Sequence, residues 1–489
     1  MAKSTHLLTK SAYITGLQCY KLFWIYQNQR DLMPDVDEAT QAIFDQGHEI
    51  GNLAKTLYPG GIEINWKAGH RAGINQTAEL IAVRKPIFEA GFQYGQTHAR
   101  ADILVPSIRG KWDLVEVKSS SKAKEEHLGD IAFQKYVYEG AGIRIGRSSV
   151  MHINRNYVRR GEVEADHLLT ETDVTTDIKP LASEVPAEVR SQLSVMSKSR
   201  APEVDLGPQC DGCVFYDDCW SFLPERHVFS LYYGKQKSYD LMDQGVLAIK
   251  DIPDHYPLTP KQRIQFNCEK TGKPHIDPRK IHTFLNKLTY PLYFLDFETF
   301  MAAIPPYDEL GPYEQVPFQY SLYVVQSAKA KATHYPYLSD GINDPRPEIL
   351  SGLKKQLGRT GSIVAYNATF EKNVLRSCAR HFPEYAPWLE SILPRFVDLL
   401  TPFCEFHYYH PDQNGGVSLK DVLPVLTGRS YAGLEISNGQ EASLRFREMA
   451  FGNLAESRKR GIRKALKKYC HQDTEGMIEI VKALQDLCG

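Results

Sequence analysis

The chain has 489 residues, with 58 Lys and Arg against 59 Asp and Glu, a formal net charge of −1, 42% hydrophobic and 24% charged residues. These proportions exclude a fibrous repeat or a wholly disordered chain, and the length predicts about three domains' worth of globular structure. No apolar run reaches the roughly 18 residues of a membrane-spanning helix, and the start Met1-Ala-Lys-Ser-Thr-His leads into no secretory apolar segment, so a cytoplasmic protein without a membrane partner is expected.

Residues 36–58 carry Ile43, Ile50, Leu53, Ala54 and Leu57 at helical spacing and stop at Pro59-Gly60-Gly61, which predicts a helix. From 87 to 118 the texture turns to β-type runs at 87–88, 92–94, 101–105 and 114–117. Residues 125–139 read as a helix and 148–153 as a further strand. Residues 170–205 are polar, with helix and loop character. A second β-rich start at 290–297 is followed by strand-like 319–326 and 362–366, then mainly helix to the end. The predicted organisation is α/β: a domain over 1–225, a partly helical linker over 226–285 rich in proline (253, 257, 260, 274, 278), and a domain over 286–489. Within the linker, Leu241–Pro253 with Gly245 between short helical pieces faintly resembles a helix-hairpin-helix DNA binder.

Asp102 opens one strand, and Glu116-Val117-Lys118 closes another after the turn Gly110-Lys111-Trp112. Residues i and i+2 of a strand share a face, so Glu116 and Lys118 present their heads together. Carboxylates on adjacent strands can hold a hard dication, and a neighbouring lysine can orient or help deprotonate a water. Gln134 and Tyr138 share a face of the following helix, and His48 offers an imidazole upstream. A surface hairpin with salt-bridged charges would show the same Asp and Glu-x-Lys. The ordered set over residues 8–222 resembles the PD-(D/E)XK nuclease superfamily, in particular the RecB-like exonucleases that include the CRISPR-associated ones. Ala101-Asp102 lacks the eponymous proline of the first motif. The resemblance implies a restriction-endonuclease-like domain, Mg2+ or Mn2+ held by His48, Asp102 and Glu116, Lys118 as the catalytic lysine, and Gln134 and Tyr138 as the accessory helix motif.

The nine cysteines are an odd number, which in a reducing compartment argues against a disulfide framework. Three of them form Cys210-x2-Cys213-x5-Cys219, and Cys19 lies about 190 residues upstream. Thiolates select soft or borderline ions, so zinc, an iron–sulfur cluster and unrelated buried cysteines are the options. The split spacing resembles the iron–sulfur branch of the RecB-like nucleases. That likeness implies a 4Fe–4S cluster on Cys19, Cys210, Cys213 and Cys219 that clamps the ends of the domain without joining the reaction. The other cysteines (268, 378, 404, 470 and 488) lack ligand spacing and are expected to pack in cores.

Asp296 and Glu298 share one face of the apolar run Tyr293–Phe297, an expensive placement unless they bind metal or hydrogen-bond donors. A second apolar strand at 363–367 leads into a helix carrying Glu371, and Tyr469-x3-Asp473 places a phenol and a carboxylate on one helical face. In this order the set resembles the DEDD 3′–5′ exonucleases of the ribonuclease H-like fold, in their tyrosine-bearing subclass. That implies a mixed central sheet, two metal ions about 4 Å apart on Asp296, Glu298, Glu371 and Asp473, and Tyr469 orienting the water. Glu371 stands where the family generally has Asp, and Asp398 is either a substitute ligand or a helix cap. Ser418–Leu423 looks like a substrate-side helix.

The stretch Arg458, Lys459, Arg460, Arg463, Lys464, Lys467, Lys468 contains no acid and runs into Tyr469. It is either a solvated helix face or a phosphate-binding face beside the metal site, with Arg458, Arg460, Lys464 and Lys467 as nucleic-acid contacts. The two resemblances together imply a metal-dependent nuclease acting on DNA, single-stranded or with free ends, through two sites. An RNA exonuclease and a nucleic-acid-binding protein with one inert site are the alternatives.

Overall fold

The β-type texture between 87 and 118 becomes part of a seven-stranded mixed sheet in the computed structural model, which describes residues 7–488. The opening residues 1–6 and Gly489 therefore lie outside the described residues. Two units are distinguished: one running to Trp220 and including Ala302–Tyr313, the other comprising Ser221–Met301 and the chain from Glu314 onward.

In the first unit the strands are β1 (Leu8–Thr9), β2 (Ile62–Glu63), β3 (Ile87–Tyr94), β4 (Thr97–Pro106), β5 (Trp112–Val117), β6 (Ile145–Ile153) and β7 (Leu169–Asp173). They are ordered β2-β3-β4-β5-β6-β7, with β1 joined to β4. Strands β3, β4 and β5 form an antiparallel meander, whereas β5 and β6 are parallel. A parallel pair needs a crossover, and the helix Glu125–Gly140 supplies it. Its apolar side meets the sheet in a core that includes Phe23, Leu104, Leu114, Phe133 and Val137.

One edge of β4 is shared. Its beginning pairs with β1 (Leu8↔Thr97, Thr9↔His98) and its end with β5 (Ile103↔Val115 onward), while the other edge belongs to β3. The sheet therefore forks at Ala101 and Asp102.

In the second unit the strands are β8 (His275–Ile276), β9 (Leu292–Phe300), β10 (Val316–Val325), β11 (Thr333–Leu338), β12 (Ser362–Ala365), β13 (Phe396–Asp398) and β14 (Tyr408–Tyr409). The five-stranded sheet runs β11-β10-β9-β12-β13, antiparallel from β11 to β9 and parallel from β9 to β13. Central β9 is covered on both faces. Tyr293, Leu295 and Phe297 join one core with the helices Arg346–Gln356 and Ala368–His381. Leu292 and Phe294 join another with the helices Leu419–Thr427 and Glu456–Asp486. Because side chains alternate along a strand, Asp296 and Glu298 face the same way as Leu292 and Phe294, toward the long C-terminal helix.

Residues 226–285, expected as a linker, are partly helical (Gln236–Asp243, Pro260–Thr271, Pro278–Leu285) but belong to the second unit. They carry a small core of their own, built on Val228, Leu231, Leu241, Ile249, Ile252 and Phe266. This core includes Leu241, Ile249 and Ile252 of the piece 241–253. Among the described residues no helix is long and apolar enough to cross a membrane.

Candidate metal centres and the cysteine cavity

At the fork of the first sheet, Asp102 Oδ2 accepts a hydrogen bond from the Val117 N–H at 2.7 Å, which ties it to the strand bearing Glu116. Glu116 is buried and has both oxygens engaged. Oε1 accepts from Lys10 Nζ at 2.6 Å and Lys118 Nζ at 2.9 Å, and Oε2 accepts from Gln134 Nε2 at 2.6 Å. Lys118 also pairs with Asp130 at 2.5 Å. Lys10, Asp102, Glu116 and Lys118 line an open cavity of about 740 Å³ together with His48, Lys55 and Glu89.

Burial and the neighbouring Glu116 hold the Asp102 carboxyl above its ordinary range. Burial acts the same way on Glu116, but Lys10 and Lys118 outweigh it and keep that group ionised. Glu116 and Asp130 likewise overcome burial at Lys118 and raise its pKa. A lysine held protonated orients water and stabilises charge; it does not abstract a proton.

Sequence reasoning placed His48 and Tyr138 at this centre. His48 lines the same cavity from the helix Glu38–Lys55, where its side chain is exposed. Tyr138 requires a correction: it is fully buried beneath the sheet, and its hydroxyl donates to the Ala90 carbonyl at 2.7 Å. Helical spacing put it on the same face as Gln134, yet only Gln134 reaches a carboxylate. Lys10, Asp130 and Glu89 were missed. Glu89 interrupts β3 opposite Asp102 with a left-handed φ of 56°, a conformation that bulky residues adopt rarely.

The four cysteines Cys19, Cys210, Cys213 and Cys219 surround one small cavity of about 20 Å³, walled by apolar side chains including Leu22, Ile25, Leu206 and Phe215. Burial raises the Cys213 thiol, and the nearby Cys19, Cys219 and Cys210 raise it further. Lys21 Nζ donates to Cys219 Sγ at 3.3 Å, a contact that favours thiolate. Gln18 Nε2 donates to the Gln209 carbonyl at 3.2 Å, so the two ends of the segment also meet beside the sulfurs. An all-thiol donor set in an apolar wall suits a soft or borderline ion or cluster.

In the second unit, ligand atoms of Asp296, Glu298 and Cys470 lie within 4.8 Å of one another, the one such group among the described residues. Cys470, expected only to pack, donates its thiol to Asp296 Oδ2 at 3.5 Å. One turn later on the same helix, Asp473 accepts from the hydroxyls of Tyr431 and Tyr469. Glu371 enters from the helix Ala368–His381, buried, with its Oε2 lacking any hydrogen-bond partner. Lys420 Nζ sits 5.6 Å and 5.5 Å from the ring centres of Tyr431 and Tyr469.

Burial, followed by mutual repulsion, holds Asp296, Glu298 and Glu371 far above the usual carboxylate range. Asp473 is also raised by burial, against the pull of Tyr431, Lys420 and Tyr469. Buried carboxylates with an orphan oxygen require either protons or a cation, and their donor set fits a hard dication.

Asp398 caps the chain instead of joining them, with Oδ1 accepting from the N–H groups of Asn367 and Leu400, each at 3.0 Å. The basic stretch also needs correction. Arg460, Lys464 and Lys467 are exposed, while Ile462, Leu466, Tyr469 and Asp473 form the buried stripe of the same helix. At about 100° per residue these are opposite sides, so the cations do not line the acidic centre. Arg458 is exposed and lies 3.7 Å from Glu435.

A family described as a domain of unknown function (DUF2779) matches residues 293–418, which contain Asp296, Glu298 and Glu371 and end before Tyr469. The chain is similar to the uncharacterized protein MG366 homolog of Mycoplasma pneumoniae, 28% identical over 229 residues, 42% of this chain and 34% of that protein. It is similar also to the uncharacterized protein MG366 of Mycoplasma genitalium, 27% identical over 221 residues, 41% of this chain and 33% of that one. The chain thus spans about a third of the length of these curated relatives. The crystal structure of SSO0001 aligns with a TM-score of 0.24 and 11% identity, over 46% of this chain and 90% of that one.

Proposed function

We propose that the chain is a metal-dependent nuclease with two hydrolytic centres, acting on DNA that is single-stranded or has free ends. The observation that carries this reading is the gathering of Asp296, Glu298, Glu371 and Asp473 from one strand and two helices, with an orphaned buried oxygen among them. These four carboxylates would hold Mg2+ or Mn2+, which when bound neutralises phosphate charge and makes water a better nucleophile. Tyr469, hydrogen-bonded to Asp473 and kept protonated by burial and the surrounding acids, orients the attacking water. Glu371, one methylene longer than aspartate, reaches in from a helix start. In the first unit Asp102 and Glu116 would hold the cation, Gln134 fixes the rotamer of Glu116, and the Lys118 ammonium orients water.

The five-stranded mixed sheet with acids on its central strand supports a ribonuclease H-like reading of the second unit. The acids beside the fork of the seven-stranded sheet support a PD-(D/E)XK reading of the first. For the cysteines we favour a 4Fe–4S cluster. Tetrahedral zinc at about 2.3 Å would draw the sulfurs to about 3.8 Å from one another. The four thiols do not form so tight a group.

The test is cleavage of end-labelled single-stranded DNA, with RNA alongside, by the full chain in Mn2+. Lys118→Ala and Asp296→Ala should each remove one separable activity, and the double variant should be inert. A double variant that degrades either polymer at the wild-type rate would falsify the proposal.

A further inference from the structure

We propose that Lys10 is a second active-site lysine of the first unit, held at the fork of the sheet by the cysteine cavity at the far end of its own helix. This rests on the reading of Asp102 and Glu116 as a dication site.

The placement begins with two residues. Leu8 and Thr9 pair in parallel with Thr97 and His98, filling the edge of β4 up to the fork. Thr9 Oγ1 accepts from the Ala12 N–H at 3.3 Å and caps the helix Lys10–Gln18. Lys10 is therefore the first helical residue, launched where the sheet opens, and its ammonium reaches Glu116 Oε1 at 2.6 Å. The side chain keeps 22% of its surface exposed, in the cavity wall, against 2% for Glu116.

Two ammonium groups thus share one carboxylate oxygen, more positive charge than a single carboxylate needs. The charged groups facing Lys10 are Glu116, Asp102, Lys118, Asp130 and Glu89. Asp102 and Glu116 would hold the dication, and Lys10 and Lys118 would then be repelled from Glu116 Oε1. Lys118 retains Asp130 as its partner, whereas the contacts of Lys10 with Glu116 and Asp102 are with the ligands themselves. Lys55, in the same cavity, keeps Glu63 at 2.8 Å, so the Lys10 ammonium would be the group released to pair with a phosphate oxygen of the substrate.

The helix is held rigidly. Tyr13 stacks on Phe133 with ring centres 4.5 Å apart, Gln192 Nε2 donates to the Tyr13 carbonyl at 3.0 Å, and a Cβ on Gly16 would stand 2.3 Å from Gln192. The nine-residue helix ends at Cys19, a wall of the cysteine cavity. Occupation of that cavity would therefore anchor the far end of the helix that carries Lys10, adding to this packing, although no cysteine touches the reacting atoms.

The test uses the full chain carrying Asp296→Asn, so that Mn2+ binding, read by electron paramagnetic resonance without nucleic acid, reports the first centre. Lys10→Met should bind Mn2+ on the order of tenfold more tightly, because a competing charge is gone. At saturating Mn2+ it should cleave single-stranded DNA at least about tenfold more slowly in kcat, with Lys10→Arg restoring most of the rate. Cys19→Ser should show the same pair of changes with an unaltered far-UV spectrum. Lys10→Gln replaces Lys10→Met should the latter unfold. Mn2+ affinity and kcat both within twofold of the parent, or weaker Mn2+ binding, overturn the role of Lys10. Unchanged behaviour of Cys19→Ser overturns the tether. A parent that binds no Mn2+ overturns the dication site and Lys10's role with it, whereas a parent that binds Mn2+ with unaltered values in Lys10→Met refutes Lys10 alone.

Discussion

Asp473→Asn is expected to stabilise the metal-free second unit at pH 8 and to abolish the stabilisation that a dication confers on it. Burial lifts the Asp473 pKa from 3.8 to about 6, despite Tyr431, Lys420 and Tyr469. A raised folded-state pKa means a penalty on the ionised form: absent below pH 3.8, growing as the unfolded chain ionises while the folded one keeps its proton, and complete above pH 6. At about 1.4 kcal/mol for each tenfold in the acid constant, that penalty is near 3 kcal/mol. Asparagine still offers an oxygen to Tyr431 and Tyr469 but forfeits the charge-assisted part of those bonds, about 1 kcal/mol. The net gain is about 2 kcal/mol, roughly 4–8 °C for a unit of this size. Wild type in Mn2+ at a hundred times its dissociation constant should gain about 2.7 kcal/mol, and the variant far less. Hydrogen exchange of peptides from 290–300 and 456–486, in EDTA at pH 5 and 8 and then with Mn2+, isolates this unit. An asparagine variant less stable than wild type at pH 8 in EDTA, or equally stabilised by Mn2+, refutes the reasoning.

Tyr138→Phe leaves the Ala90 carbonyl without its donor and should destabilise the first unit by about 1–3 kcal/mol in urea unfolding while Mn2+ affinity stays unchanged; a variant of native stability that fails to cleave would reinstate a catalytic tyrosine. Reversing Arg460, Lys464 and Lys467 to Glu should leave metal binding and kcat at the second centre unchanged, because they lie across the helix from Tyr469, and a lost kcat would contradict that placement. Cys213→Ser should lose iron and labile sulfide together, and treating the cluster as a cross-link over about 190 residues predicts a stability loss of up to about 5 kcal/mol. Equal metal content and equal unfolding midpoints in Cys213→Ser would rule out the clamp.

Two acids of the second unit break a local rule, since Asp296 and Glu298 interrupt an apolar strand. Glu371, Tyr469 and Asp473 break none, and only their order behind that strand marked them out. Lys10 was illegible. Its contact spans 106 residues and depends on a two-residue strand too short to leave a pattern. Tyr138 misled because i, i+4 spacing fixes a face and not the depth a side chain reaches; its ring runs under the sheet to backbone. The basic stretch misled because proximity in sequence to Tyr469 says nothing about azimuth around the helix. The inclusion of Ala302–Tyr313 in the first unit has no local signal at all, since Arg159 fixes it through the carbonyls of Pro305 and Pro306, each at 2.9 Å.

The two centres tolerate buried acids by opposite means, and this separates their chemistry. The first neutralises Glu116 with Lys10, Lys118 and Gln134, so its carboxylate is ionised before any metal arrives and a dication must compete with ammonium groups. The second sets Lys420 against four carboxylates, of which Asp296, Glu298 and Glu371 are pushed by burial to hold protons, so a dication there must compete with hydrogen ions. Lowering the pH from 8 to 6 should therefore weaken Mn2+ binding in the second unit, with proton release visible as a dependence of binding heat on buffer ionisation. The first centre should weaken too, because Asp102, lifted to about 7, takes up a proton in that interval, whereas Glu116 is held ionised by its lysines and releases none. In an Asp102→Asn variant the first centre should therefore keep its Mn2+ affinity from pH 8 to 6, and a loss there would mean that the lysines do not set the charge of Glu116.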